Sequence, residues 1–205
     1  HSSAKNQPTT KRRRRNSSLI VAVDRNDVAS VKRFLKNKKT DVNQALNDGA
    51  TPLYIACQNG HVDVVQLLLA RKDIQINQTT KIGVTPLNTA CYYGHVDVVR
   101  LLLARKEIQI NQASESGFTP LYITCEKGHV DVVRLLLARK EIQINQAANN
   151  GATPLFITCQ FGHVDVVRLL LAFVKWETRE QGKWYYPPSW AQAAFSTFYV
   201  RNEWP

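Results

Sequence analysis

Thr51-Pro52-Leu53-Tyr54-Ile55-Ala56-Cys57-Gln58-Asn59-Gly60-His61-Val62-Asp63-Val64-Val65-Gln66-Leu67-Leu68-Leu69-Ala70 returns three more times, with small changes, at intervals of 34 residues. Thr-Pro-Leu recurs at Thr85, Thr119 and Thr153, and Gly-His-Val-Asp-Val-Val at Gly94, Gly128 and Gly162. Each copy runs into Leu-Leu-Leu-Ala, and three continue as Arg-Lys-(Asp/Glu)-Ile-Gln-Ile-Asn. A fixed period of this size signals a solenoid, whose units each contact mainly their neighbours and build the core only by stacking. Such an architecture presents a long groove rather than one closed pocket. Binding is therefore expected before catalysis.

Within one copy the local chemistry specifies two helices. Asn47-Asp48-Gly49 is turn chemistry, with Gly free to take positive φ. Thr51 before Pro52 suits a helix start, a hydroxyl cap followed by Pro at the first helical position. The helix Pro52–Asn59 stops at Gly60, and a second begins near Val62 with Asp63 favouring its dipole. Val62, Val64, Val65, Leu67, Leu68 and Leu69 leave that second helix little polar face, so it is expected to be buried on several sides. Arg71 and Lys72 complement its C-terminal end. Ile74-Gln75-Ile76-Asn77 alternates with period two and reads as an extended lead into the next turn.

Turn, helix, turn, helix and extended loop at this length resemble the ankyrin repeat. The match is carried by the turn Gly, Thr-Pro-Leu, the Ala-Cys or Thr-Cys pair, Gly-His and Val-Val-x-Leu-Leu-Leu, over about residues 17–172. The resemblance implies an all-α solenoid of stacked helix-turn-helix units with connecting β-hairpin loops. Where the family usually has His after Thr-Pro-Leu, this chain has Tyr54, Asn88, Tyr122 and Phe156. Its period is 34 rather than the usual 33. Asn77, Asn111 and Asn145 look like the hairpin Asn that is hydroxylated in some ankyrin proteins, although a structural role is the ordinary one.

The full copies span 44–77, 78–111, 112–145 and 146–172, and a worn copy precedes them over 17–43. In it Leu19 aligns with Leu53, Ala22 with Ala56, Val28 with Val62 and Asn43 with Asn77. It lacks Thr-Pro and carries Arg25, Lys32, Arg33, Lys36, Lys38 and Lys39, the polar outer face expected of a terminal cap. After Ala172 the pattern breaks: Phe173-Val174 replaces Arg-Lys, and the helix is expected to run on to Gln181. Residues 173–205 contain all four Trp and read as an aromatic-rich C-terminal cap or docking segment.

The whole chain of 205 residues has a net charge of +11. Six basic side chains lie in residues 1–16 with no acidic one, leaving 21 basic and 16 acidic, a net +5, on the other 189. That segment reads as a disordered arm. Its run Lys11-Arg12-Arg13-Arg14-Arg15 suits a nuclear-import address or a non-specific nucleic-acid contact through phosphate. No apolar run is long enough to span a bilayer and no secretory signal is visible, so the expectation is a soluble intracellular protein, cytoplasmic or nuclear, and monomeric. There is no Met at any position, which reads as a fragment, a processed form or a tagged product.

Catalytic, metal and cofactor sites are not expected. Cys57, Cys91, Cys125 and Cys159 share one repeat position, and stacked helices hold equivalent atoms about 8–10 Å apart, beyond the roughly 7 Å Cα limit of a disulfide. His61, His95, His129 and His163 recur likewise and cannot converge on one zinc; they are read as ordering the helix–helix turn. No phosphate loop, nucleophile elbow or metal-binding His-Glu-x-x-His is present. What remains is the variation between copies. It concentrates at hairpin tips (Lys81, Ile82, Glu115, Asn149), after the turn Gly (Phe118) and before Gly-His (Tyr92, Tyr93, Glu126, Lys127, Phe161). Core positions must keep their volume, so drift is allowed where side chains meet solvent or a partner. Large aromatic choices there are costly for inert surface and suit interface anchors. Hairpin tips and the inner helix face also form the binding surface that the ankyrin resemblance implies. These ten residues are the candidate protein-binding site, centred on the second and third full copies.

Overall fold

The computed structural model describes residues 18–181, the side chains of 174–181 excepted. Among the described residues the chain forms ten helices in five pairs: α1 (Leu19–Asp24) with α2 (Val28–Lys36), α3 (Pro52–Gln58) with α4 (Val62–Leu69), α5 (Pro86–Tyr93) with α6 (Val96–Leu103), α7 (Pro120–Lys127) with α8 (Val130–Leu137), and α9 (Pro154–Phe161) with α10 (Val164–Gln181). The first helices of successive pairs pack in one row, α1 to α9, and the second helices in another, α2 to α10. This is the all-α solenoid that the ankyrin resemblance implies.

The helix starts follow from Thr-Pro. Thr51, Thr85, Thr119 and Thr153 are extended N-caps followed by Pro. Each hydroxyl accepts the N–H three residues on, at 3.1 Å from Tyr54, 3.0 Å from Asn88 and Tyr122, and 3.3 Å from Phe156. The core lies between the two rows. Leu53, Leu87 and Leu121 from the first helices meet Val64-Val65, Val98-Val99 and Val132-Val133 from the second, all buried. The worn copy supplies Leu19 and Val31 at the positions of Leu53 and Val65, with Val23 buried at that of Cys57. Asn26 stands where the other copies have Gly, at φ 54, because Asn is the residue that tolerates the left-handed region next best. Asp27 stands where they have His and caps α2, its carboxylate accepting the Ser30 N–H at 3.0 Å.

Two local expectations are corrected. Ile74–Asn77 is not extended: Gln78 N–H donates to Gln75 O at 3.2 Å, making a second turn that buries Ile76. The alternation of Ile and Gln there is that of a turn with one inward residue. The hairpin loops close without any strand among the described residues. Each has only a narrow pair of bonds, such as Thr80 N–H to Val84 O and Gly83 N–H to Thr80 O, both 3.0 Å. They stack instead from repeat to repeat, Lys81 N–H donating to Asp48 O at 2.8 Å and Glu115 N–H to Ile82 O at 3.1 Å.

α10 has 18 residues where α4, α6 and α8 have eight. Phe173 takes the place of Arg71, Arg105 and Arg139 and packs against the core, so the loop that would open a further repeat does not form. No described helix is long and apolar enough to cross a membrane. The basic arm and residues 182–205, with most of the expected aromatic cap, lie outside the described residues.

Candidate functional site

Four repeat-to-repeat links hold the surface on which the candidate residues stand. Each His sends Nε2 to a carbonyl at the end of the preceding pair's first helix: His61 to Asp24 O (3.3 Å), His95 to Gln58 O (3.0 Å), His129 to Tyr92 O (3.0 Å) and His163 to Glu126 O (2.8 Å). The His rings do more than order their own turn: each spans two repeats. Each Arg reaches back 36 residues, Arg71 to Leu35 O (3.1 Å), Arg105 to Leu69 O and Arg139 to Leu103 O (both 2.9 Å), capping the preceding second helix. Each Asn clasps the next loop twice: Asn77 Nδ2 donates to Glu107 O (2.7 Å) while its Oδ1 accepts Gln109 N–H (3.0 Å). The fourth link is Asn88. It is fully buried, forms a capping box with Thr85, and donates to Phe118 O at 3.2 Å.

On this frame the aromatic candidates sit at the last turn of the first helices, beside the left-handed Gly caps. Tyr92 and Tyr93 are 44% and 47% exposed, and their rings meet edge to face at 4.9 Å. Tyr93 stacks on His95 at 5.9 Å, so the same imidazole that ties two repeats also fixes this ring. Lys127 crosses from the next repeat, Nζ 4.5 Å above the Tyr92 ring and 3.8 Å from the Glu126 carboxylate. A cation over an aromatic face is attracted by its quadrupole. The structure thus brings Tyr92, Tyr93, Glu126 and Lys127 into one cluster. Phe161, 53% exposed, repeats the ring-on-His stack two repeats beyond Tyr93, 6.2 Å from His163.

The hairpin candidates form a separate row. Lys81, Ile82, Glu115 and Asn149 are exposed at successive tips, Ile82 at 62%. Asn149 Nδ2 donates to Glu115 O at 2.7 Å, so its side chain also serves the stack of hairpins. Phe118 is half-buried and lies parallel to the Tyr122 ring at 4.8 Å. Tyr122 is itself buried, and burial followed by the Glu126 charge pushes its phenol up while an Asn150 hydrogen bond opposes them. In the sequence Asn88 and Tyr122 stand out only as departures from the family pattern and Arg71 only for its helix dipole, so their links across repeats are additions from the structure. Asn88 had a signal, being the one amide among aromatics at its position.

The cysteines fill the row of first helices. Cys57, Cys91 and Cys125 are fully buried and free, and Cys159 is free and half-buried. Burial pushes the thiols of Cys91 and Cys125 up to about 12 and raises those of Cys57 and Cys159. Such thiols are poor nucleophiles. Among the described residues no three His, Cys, Asp or Glu side chains are grouped to hold a metal.

The frame and its exposed aromatics make a repeat-built surface on the described residues. A family model described as ankyrin repeats (3 copies) matches residues 19–114 and 106–179, and the chain belongs to that family. Its members are in general protein-interaction modules. No curated protein matches the chain.

Proposed function

We propose that this protein is a non-enzymatic scaffold or adaptor, monomeric and intracellular, that binds a partner protein along the groove between the hairpin tips and the first-helix ends. The observation that carries this reading is the cluster of Tyr92, Tyr93, Glu126 and Lys127. It presents two half-exposed rings whose orientations are fixed by His95 and Lys127. Fixed aromatic rings lose little entropy on binding, which is what makes them anchors. Ile82, Phe118 and Phe161 extend the apolar surface to either side, with Lys81, Glu115 and Asn149 on the hairpin edge.

The test is capture from cell lysate, with and without nuclease, followed by titration of the identified partner. Tyr92→Ala with Tyr93→Ala weakens that partner's binding more than tenfold, beyond about 1.4 kcal/mol. The thermal midpoint moves little, because both rings are half-exposed. Unchanged affinity would sink the groove assignment. Recovery that needs nucleic acid and ignores the variant would move the function to Lys11, Arg12, Arg13, Arg14 and Arg15.

A further inference from the structure

Lys72, Lys106 and Lys140 hold one position of the repeat, and Lys38 holds it in the worn copy. Each of the first three is the second residue of a tight turn. These turns close from Ile74 N–H to Arg71 O (3.4 Å), Ile108 N–H to Arg105 O (3.3 Å) and Ile142 N–H to Arg139 O (3.2 Å). The neighbours inside each turn neutralise one another. Arg71 donates to both oxygens of Asp73 at 3.0 and 2.7 Å, while Arg105 and Arg139 stand 3.6 Å from Glu107 and Glu141. The same guanidinium groups cap the preceding helices. All four lysines are exposed, and none has an ion pair among the described residues.

Their register is held by the Asn clasps, which tie each loop to the next. One lysine therefore projects per repeat, spaced by about 10 Å, the separation of packed helices. In the worn copy Lys39 replaces the acid, so the positive charge grows toward the N-terminus. The row Asp63, Asp97, Asp131 and Asp165 lies at the other end of the second helices, with Asp97 and Asp165 each 3.7 Å from an Arg of the same helix. Among the described residues no large exposed apolar side chain lies on the lysine edge: Leu46, Ile82, Tyr92, Tyr93, Phe156 and Phe161 belong to hairpins and first helices, and Val62 to a helix start.

We propose that this lysine edge binds the phosphate backbone of nucleic acid without reading its sequence. A single file of unpaired ammonium groups suits a linear polyanion, to which each contributes through release of counterions. A bilayer surface would favour apolar side chains among the charges, and among the described residues this edge has no large exposed one. Binding at this edge is independent of the aromatic groove.

The test uses the full chain with Lys11, Arg12, Arg13, Arg14 and Arg15 changed to Gln, so that the arm does not contribute. Labelled single-stranded and duplex DNA of about 20 nucleotides are titrated by anisotropy at several salt concentrations. With four contacts at about 0.7 each, the single-strand slope of log affinity against log salt is about −3. Changing Lys38, Lys72, Lys106 and Lys140 to Gln lowers affinity at least tenfold at about 50 mM salt and flattens the slope. Changing them to Arg preserves both, and circular dichroism checks that every variant stays folded. The proposal is overturned if the four-Gln protein binds DNA like its parent. It is equally overturned if the parent binds polyglutamate, or phosphatidylcholine vesicles containing phosphatidylserine, but neither DNA.

Discussion

Gly94 and His129 are fitted to one another across two repeats. A Cβ on Gly94 would lie 2.7 Å from His129 Nδ1, and Gly94 also needs φ 71. Gly162 has nearly the same φ, but a Cβ there meets nothing within 4 Å among the described residues. The pair separates backbone strain from crowding. Gly162→Ala is expected to lose about 1–2 kcal/mol from the left-handed backbone alone, and Gly94→Ala a further ~1–3 kcal/mol from overpacking. Adding His129→Ala to Gly94→Ala recovers part of the second loss, which a double-mutant cycle from urea unfolding measures. Gly-His was legible as a turn, but its partner lies 35 residues on, outside any reading confined to one copy. The buried thiols set a second test. Cys57, Cys91 and Cys125 are raised by burial, so the folded chain keeps protons that the unfolded chain releases above about pH 8.5. Their contribution is complete below that pH and is lost as pH climbs toward 12, by at most about 1.4 kcal/mol per unit and thiol. Unfolding between pH 8 and 10.5 checks this, and Cys91→Ala should flatten the decline.

At the scale of elements, the loop after each second helix is the joint of the solenoid. The apolar periodicity that marks helices could be read directly, since burial demands it in every copy. The loop's geometry could not, because Ile74-Gln75-Ile76-Asn77 takes its shape from Asn43 behind it and from Glu107 and Gln109 ahead of it. Asn77→Ala removes two links between repeats and should cost about 1–3 kcal/mol at roughly 1 per bond. Asn145 has the same sequence setting, but residues 175 and 177, which would answer it, lie within α10. Asn145→Ala is therefore expected to shift the thermal midpoint by less than half as much. Equal losses would show that the clasp is not what stabilises the loop. The candidate site divides in the same way: exposure of Tyr92 and Tyr93 followed from their variation between copies, whereas burial of Tyr122 depends on Phe118 and the turn beside it.

For the molecule as a whole, the described residues leave the last repeat covered on one side only. Gly49, Gly83 and Gly117 each abut the next hairpin, while a Cβ on Gly151 meets nothing within 4 Å among the described residues. Phe156 is 41% exposed where Tyr122, one repeat earlier, is 2%, and Cys159 is only half-buried where Cys125 is 0% exposed. In a solenoid each repeat is stabilised chiefly by its two neighbours, so a repeat with one covered face opens first. Residues 182–205 begin at the end of α10, which belongs to that same repeat, and they hold three of the four Trp. We expect this segment to cover the open face, because an apolar face of this kind left in water is a liability for association. Deleting it should accelerate amide exchange in α9 at least tenfold and speed alkylation of Cys159, while α5, covered on both sides by α3 and α7, keeps its protection. Equal exchange in α9 with and without residues 182–205 would assign the segment to a partner instead. The repeat would then be closed by that partner, and its stability would rise with partner concentration.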